Sequence, residues 1–243
     1  MMENRYFSIG AVIKKGWEKF KEHPFTWIGA FLLILLISIT HSYVLKLALG
    51  NEFSWNPSAE AVDWKEASTS TNVIVFGISL AYYLILLGLS LGIFYMGLRA
   101  SDGLSLNLLH LFSRFHYVFH YLVACILYNL IIGVGFILLL FPAAIWGAKF
   151  ALYPYFIVDK GAGPIRALKL SSEATHGFKW DIFAFMLISV LLLLIGIALL
   201  FIGLLVVLPI INIAWATIYR KLSAIDTEPA AQPVPIKSTG SSS

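Results

Sequence analysis

The chain has one cysteine, Cys125, among 243 residues, and only 12% of its residues are charged. A lone cysteine excludes a disulfide framework and a thiolate metal cluster within one chain. Soluble domains carry roughly 25% charged residues, so half that share points to lipid as the solvent. The long apolar runs contain no carboxylate, which leaves no paired membrane acids for a proton relay. Also lacking are a glycine-rich phosphate loop and a HExxH pair. No cleavable leader is evident, because Met1 to His23 is polar, basic and too long for an ordinary n-region. These absences argue against an enzyme and imply no cofactor. The net charge of +4 needs no nucleic-acid partner if the basic residues serve topology instead.

What is present is hydrocarbon length. A helix crosses the bilayer core with about 20 apolar residues at about 1.5 Å per residue. Residues 27–47 and 73–98 each meet that length. Val118 to Val158 and Ile182 to Tyr219 are too long for one crossing, and each is expected to fold into two. Pro142 interrupts the first of these runs, and Gly203 with Pro209 interrupts the second. The expected spans are therefore 27–47, 73–98, 118–141, 143–158, 182–200 and 204–219. The fourth is short, and a re-entrant path is an alternative for it.

Charge tests this count. Fourteen of the 17 Lys and Arg residues precede the first span, follow the last, or lie between spans two and three and between four and five. The segment from Gly50 to Asn72 holds only Lys65 against four acids, together with Trp55 and Trp64, which suit an outer membrane surface. Basic segments at both ends of each long run require an even number of crossings. The positive-inside rule then places both termini in the cytoplasm. A single membrane domain is expected over 1–221, with 222–243 a Pro-, Ala- and Ser-rich disordered tail.

Each expected hairpin follows a short amphipathic stretch. Ser8 to Lys21 puts Ile9, Val12, Ile13, Trp17 and Phe20 on one helical face. Leu104 to Phe115 does so with Leu108, Leu109, Leu111, Phe112 and Phe115, and Gly163 to His176 opens on Pro164, which suits a first helical turn. At an offset of 155 residues Lys14 matches Lys169, Glu18 matches Glu173 and Phe25 matches Trp180, which suggests an internal repeat. The expected fold is all-α and integral to the membrane: six transmembrane helices as three hairpins, each behind a cytoplasmic amphipathic helix.

The segment KFALYPYFIVD from Lys149 to Asp159 runs on through Gly163, Pro164, Ala167, Leu168, Ser171, Ser172, Thr175, Gly177 and Trp180. It resembles a broad group of bacterial polytopic membrane proteins that includes the membrane domain beside some glycerophosphodiester phosphodiesterase catalytic domains. The opening with Gly10, Gly16, Trp17, Phe20 and Lys21 is similar to that of related members. The resemblance implies a bacterial inner-membrane location. It does not bring the phosphodiesterase activity, since a catalytic barrel needs about 250 residues and only 24 follow Tyr219.

Lys149 is the leading candidate residue. A lysine within a span costs about 2.5–3.5 kcal/mol on insertion scales and usually faces protein or water. It could receive an anionic group such as a lipid phosphate, or it could snorkel or meet a helix carbonyl. Lys46 reads as a snorkelling anchor. His116 and His120, four apart, could bind a metal, but with His110 and the aromatics around them they read as an interfacial belt. Asn129 and Asn212 could line a pathway or act as interhelical glue worth about 0.6 kcal/mol each. Gly88 and Gly92 form a GxxxG that suits close packing, within the chain or between copies. Ser171, Ser172, Thr175 and His176 read as capping and surface hydrogen bonding rather than a nucleophile.

Two functions remain. One is a non-catalytic inner-membrane component that organises lipid or partner proteins, its basic face attracting anionic lipids at about 1 kcal/mol per nearby charge. The other is a transporter or channel for a small solute or lipid, with Lys149 in the pathway.

Overall fold

A computed structural model describes residues 7–49, 69–138, 140–199 and 203–224. The described residues are helical, without a strand. In chain order the α-helices are α1 (Ile9–Glu22), α2 (Pro24–Leu49), α3 (Thr69–Ser101), α4 (Val118–Leu138), α5 (Leu140–Phe150), α6 (Tyr153–Lys160), α7 (Pro164–Ala174), α8 (Lys179–Ala198) and α9 (Leu204–Ser223). Five stretches are long and apolar enough to cross a membrane: α2, α3, α4 with the turns before it, α8 and α9.

The expected fourth span, 143–158, is not a continuous helix. It is divided into α5 and α6 at Ala151–Leu152, and neither piece has the length of a crossing. The cause is Pro154 in the first turn of α6. Its ring excludes the carbonyl four residues earlier, and it has no N–H to give. Pro142, expected to end a helix, instead lies in the first turn of α5, where a missing N–H costs nothing.

The amphipathic stretches also divide. The first forms α1, which buries Val12, Gly16 and Phe20, one residue per turn. Trp17 stays exposed, with the Lys21 ammonium 5.6 Å from its ring centroid. The third forms α7 with Pro164 in its first turn, as its sequence predicts. The second is not an α-helix. Residues 104–107 are irregular, and two 3-10 turns follow, Leu108–Phe112 and Phe115–Tyr117. Asn107 caps the first turn: its Oδ1 accepts from the Leu109 amide at 3.1 Å. Its own amide donates to His110 Nδ1 at 3.0 Å.

At the centre, the C-terminal half of α3 packs on α9. Gly97 lies where Asn212 reaches across, and a Cβ there would collide with Asn212 Oδ1. One turn on, Ser101 and Thr217 share a hydrogen bond of 3.2 Å. On the other face of α9, Gly16 of α1 sits so close that a Cβ would stand 2.7 Å from the Ile210 carbonyl. Two buried clusters flank this pair. The larger joins Leu91, Leu98, Tyr121, Tyr155, Phe156, Ile157, Phe185 and Tyr219, and the smaller joins Phe20, Trp27, Leu89, Met96, Leu111 and Ile213. The segment expected as a tail from 222 begins inside the fold, since Leu222 and Ser223 are buried in the last turn of α9. Residues 225–243 and the 50–68 part of the expected outer segment, with Trp55 and Trp64, lie outside the described residues.

Candidate functional site

Breaking a helix inside an apolar protein leaves backbone groups that must find partners. At the α5–α6 break these are the Lys149 carbonyl and the Leu152 amide. Both are met by α7. Ser171 Oγ accepts from the Leu152 amide at 3.1 Å and donates to the Lys149 carbonyl at 3.1 Å, using its acceptor and its one proton. Thr175 Oγ1 donates to the same carbonyl at 2.9 Å. Ser171 and Thr175 are fully buried. At the far end of α6, Gly161 takes φ 60°, and its amide closes on the Ile157 carbonyl at 3.0 Å, an αL cap that no Cβ-bearing residue adopts without strain.

The Lys149 side chain is partly exposed, its Nζ 5.1 Å from the Phe150 ring centroid. No carboxylate pairs with it among the described residues. Asn129 and Asn212 stand apart from it and from each other. Asn129 is exposed on α4 and donates to its own helix, to the Cys125 carbonyl at 2.7 Å. Asn212 is sealed between α9 and α3. Its backbone carbonyl accepts from the Tyr155 hydroxyl at 3.2 Å, and its Oδ1 rests on Gly97 without a hydrogen-bond donor.

Gly88 and Gly92 receive neither another long helix nor a second copy. A Cβ on Gly88 would stand 2.5 Å from the Phe115 ring, and one on Gly92 would run into the Leu111 carbonyl. The glycine groove of α3 thus admits the 3-10 segment, backbone included. His110 is held by Asn107 and meets the Tyr95 ring edge-on at 5.9 Å. His116 belongs to a 3-10 turn and His120 to α4, so the two do not follow one helical face. Among the described residues no three His, Cys, Asp or Glu side chains converge for a metal. Lys46 is exposed near the end of α2, and Ser172 and His176 lie on and just after α7, His176 exposed.

Sequence reasoning missed an ionic clamp. Arg220 donates to both oxygens of Asp102, Nε to Oδ1 at 2.9 Å and Nη2 to Oδ2 at 2.7 Å. Its Nη1 donates to Asp159 Oδ2 at 2.8 Å, and the Tyr219 hydroxyl donates to the same oxygen at 2.7 Å. One planar guanidinium therefore ties together the ends of α3, α6 and α9, a fork-to-carboxylate geometry that lysine does not reproduce. The available signal was the placement of Asp102, Asp159 and Arg220 just beyond three apolar runs. A second missed cluster lies between α2 and α3. His41 stacks on Tyr82 with centroids 3.8 Å apart, and the Tyr82 hydroxyl donates to Ser38 Oγ at 3.0 Å.

The chain is similar to an uncharacterised protein of Mycobacterium tuberculosis (strain ATCC 25618 / H37Rv), Rv2560. The two are 25% identical over 245 residues, which cover 96% of this chain and 74% of that one. An uncharacterised protein of Mycobacterium bovis, Mb2590, matches with the same identity and coverage. No family model matches, and no solved structure matches.

Proposed function

We propose that this chain is a non-catalytic, multi-pass component of a bacterial inner membrane that organises lipid or partner proteins at its basic face. The same reading gives it six crossings in three hairpins with both termini cytoplasmic. α5, too short for a full crossing of an unperturbed bilayer, then completes the second hairpin by local thinning of the bilayer, and α6 returns along the cytoplasmic side. The observation that carries the reading is the occupancy of the helix break. Discontinuous helices in transporters present free carbonyls and amides to a substrate or ion. Here the corresponding groups are taken up by Ser171 and Thr175. Asn212 is sealed and Asn129 faces outward, so neither extends a polar route from Lys149. The fourteen basic residues assigned to the inner side supply attraction to an anionic leaflet.

The alternative is a transporter or channel with Lys149 in its path, favoured by one observation: this lysine has no carboxylate partner among the described residues. Thiol accessibility separates the two. Lys149→Cys in a Cys125→Ser background, in intact cells, is treated with a membrane-impermeant reagent from each side. The organising reading expects at most labelling from the cytoplasmic side. Labelling from the outer side would establish an aqueous path and replace it with the transporter.

A further inference from the structure

A recess of about 200 Å³ lies between α5 and α8, walled by Ala144, Ile145, Lys179, Trp180 and Phe183. Its walls are apolar except at one end. Phe183 meets Trp180 edge-on at 6.2 Å, and Trp180 remains 65% exposed at the mouth, where an interfacial indole belongs. Lys179, the first residue of α8, contributes the polar end. Lys149 stands one turn beyond Ile145 on the same face of α5. Its carbonyl is bound by Thr175, four residues before Lys179, which brings both lysines to the same end of the slot. Neither ammonium pairs with a carboxylate among the described residues, Asp181 in the first turn of α8 included.

We infer that the α5–α8 recess is a binding site for one anionic phospholipid, an acyl chain between Ile145 and Phe183 and the phosphate between Lys149 and Lys179. Charge complementarity selects this occupant. An ammonium lining the slot at Lys179 and a second at the same end of α5, neither paired with a carboxylate among the described residues, favour a lipid of net negative charge over a zwitterionic one, whose own ammonium would face them. The break between α5 and α6 makes the geometry. Because α5 stops at Phe150, Lys149 sits in a final helical turn beside the start of α8 instead of in mid-span. This inference rests on the lipid-organising reading and narrows it to one site and one headgroup class.

The test uses the full chain, purified and reconstituted in nanodiscs of equimolar dioleoyl phosphatidylglycerol and phosphatidylethanolamine. Native mass spectrometry then counts the lipids that survive release. The wild type is expected to retain one phosphatidylglycerol in preference to phosphatidylethanolamine by about tenfold. Lys149→Gln with Lys179→Gln should bring that ratio close to one, and Lys149→Arg with Lys179→Arg should restore it. Lys169→Gln, which removes an exposed charge 4.0 Å from Glu173 on α7, should leave it unchanged. Ala144→Phe should lower retention of both lipids by filling the slot. Equal retention of the two lipids by the wild type, a preference that survives the double Gln variant, or a dimer with no bound lipid would overturn the site. The broader reading fails by a different measurement, outer-side labelling at position 149, so the two failures are distinguishable.

Discussion

The two halves of α3 inhabit different surroundings on one continuous helix. From Thr69 to Ile85 most of its large residues face outward, with Val73, Ile74, Phe76, Leu80 and Tyr83 exposed and Val75 alone buried. From Gly88 to Ser101 it is enclosed, with Leu89, Leu91, Met96, Leu98 and Ala100 at most 3% exposed. Their partners differ in the same way. The most apolar stretch of α2 is 6% buried, whereas that of α9 is 50% buried. Hydropathy does not distinguish the halves, since both are predominantly apolar. Small residues do: Gly88, Gly92 and Gly97 each admit a neighbour closer than any Cβ would permit, while Gly77 has nothing within 4 Å. In lipid, where helices gain little from hiding apolar surface, close approach and hydrogen bonding decide what packs. The buried half accordingly carries the Ser101–Thr217 bond and the Arg220 clamp.

The largest predicted effect breaks this contrast directly. Gly92→Leu drives a side chain into the Leu111 backbone, which has no rotamer to yield, and should cost about 3 kcal/mol or more. Gly77→Leu should be neutral within about 0.5 kcal/mol. Thermal unfolding of both variants in the same detergent, read by size-exclusion of the monodisperse fraction, compares them; equal losses would dissolve the distinction. Next is Ser171→Ala, which leaves the buried Leu152 amide without its acceptor and should cost about 1–3 kcal/mol. Thr40→Ala, which removes a hydroxyl bonded only to its own helix, is the matched control in the exposed region and should shift stability negligibly. Arg220→Gln follows. The guanidinium is about one-third exposed, so after solvent screening the clamp should contribute on the order of 1–2 kcal/mol, weakening as salt is raised. A salt-independent loss would indicate packing rather than charge. The smallest effect is Tyr82→Phe, which removes the Ser38 bond between α2 and α3 and should cost about 0.6 kcal/mol.

Periodicity and run length were enough to place α1, α2, α3, α7, α8 and α9 to within a few residues, because lipid demands length and charge marks the ends. Two elements resisted. The break at Ala151–Leu152 hides in a long apolar run, and its proline was visible, but only the buried hydroxyls of Ser171 and Thr175 make the break tolerable. Leu104 to Phe115 has helical periodicity, yet from Leu108 it folds as 3-10 turns, with the Leu111 backbone set against Gly92 and the Phe115 ring against Gly88. Lys149 was legible from its cost in an apolar run. Asn129 was not, since the face an asparagine presents depends on which neighbours arrive. The clamp was invisible for a similar reason: Asp102 and Arg220 are 118 residues apart, and only the fold brings them together.

The hydroxyls that close the helix break also impose an order on biogenesis. Lys149 and Ser171 are separated by 22 residues, so the ribosome delivers the open carbonyl before the group that closes it. At about 5–20 residues per second that interval lasts roughly one to four seconds. During it α5 and α6 carry unmet backbone groups that in the finished fold are buried and paired. The α5–α6 break therefore closes only after α7 has left the exit tunnel. Stable packing of α5 and α6 should then be late and coupled to the synthesis of α7, rather than proceeding helix by helix.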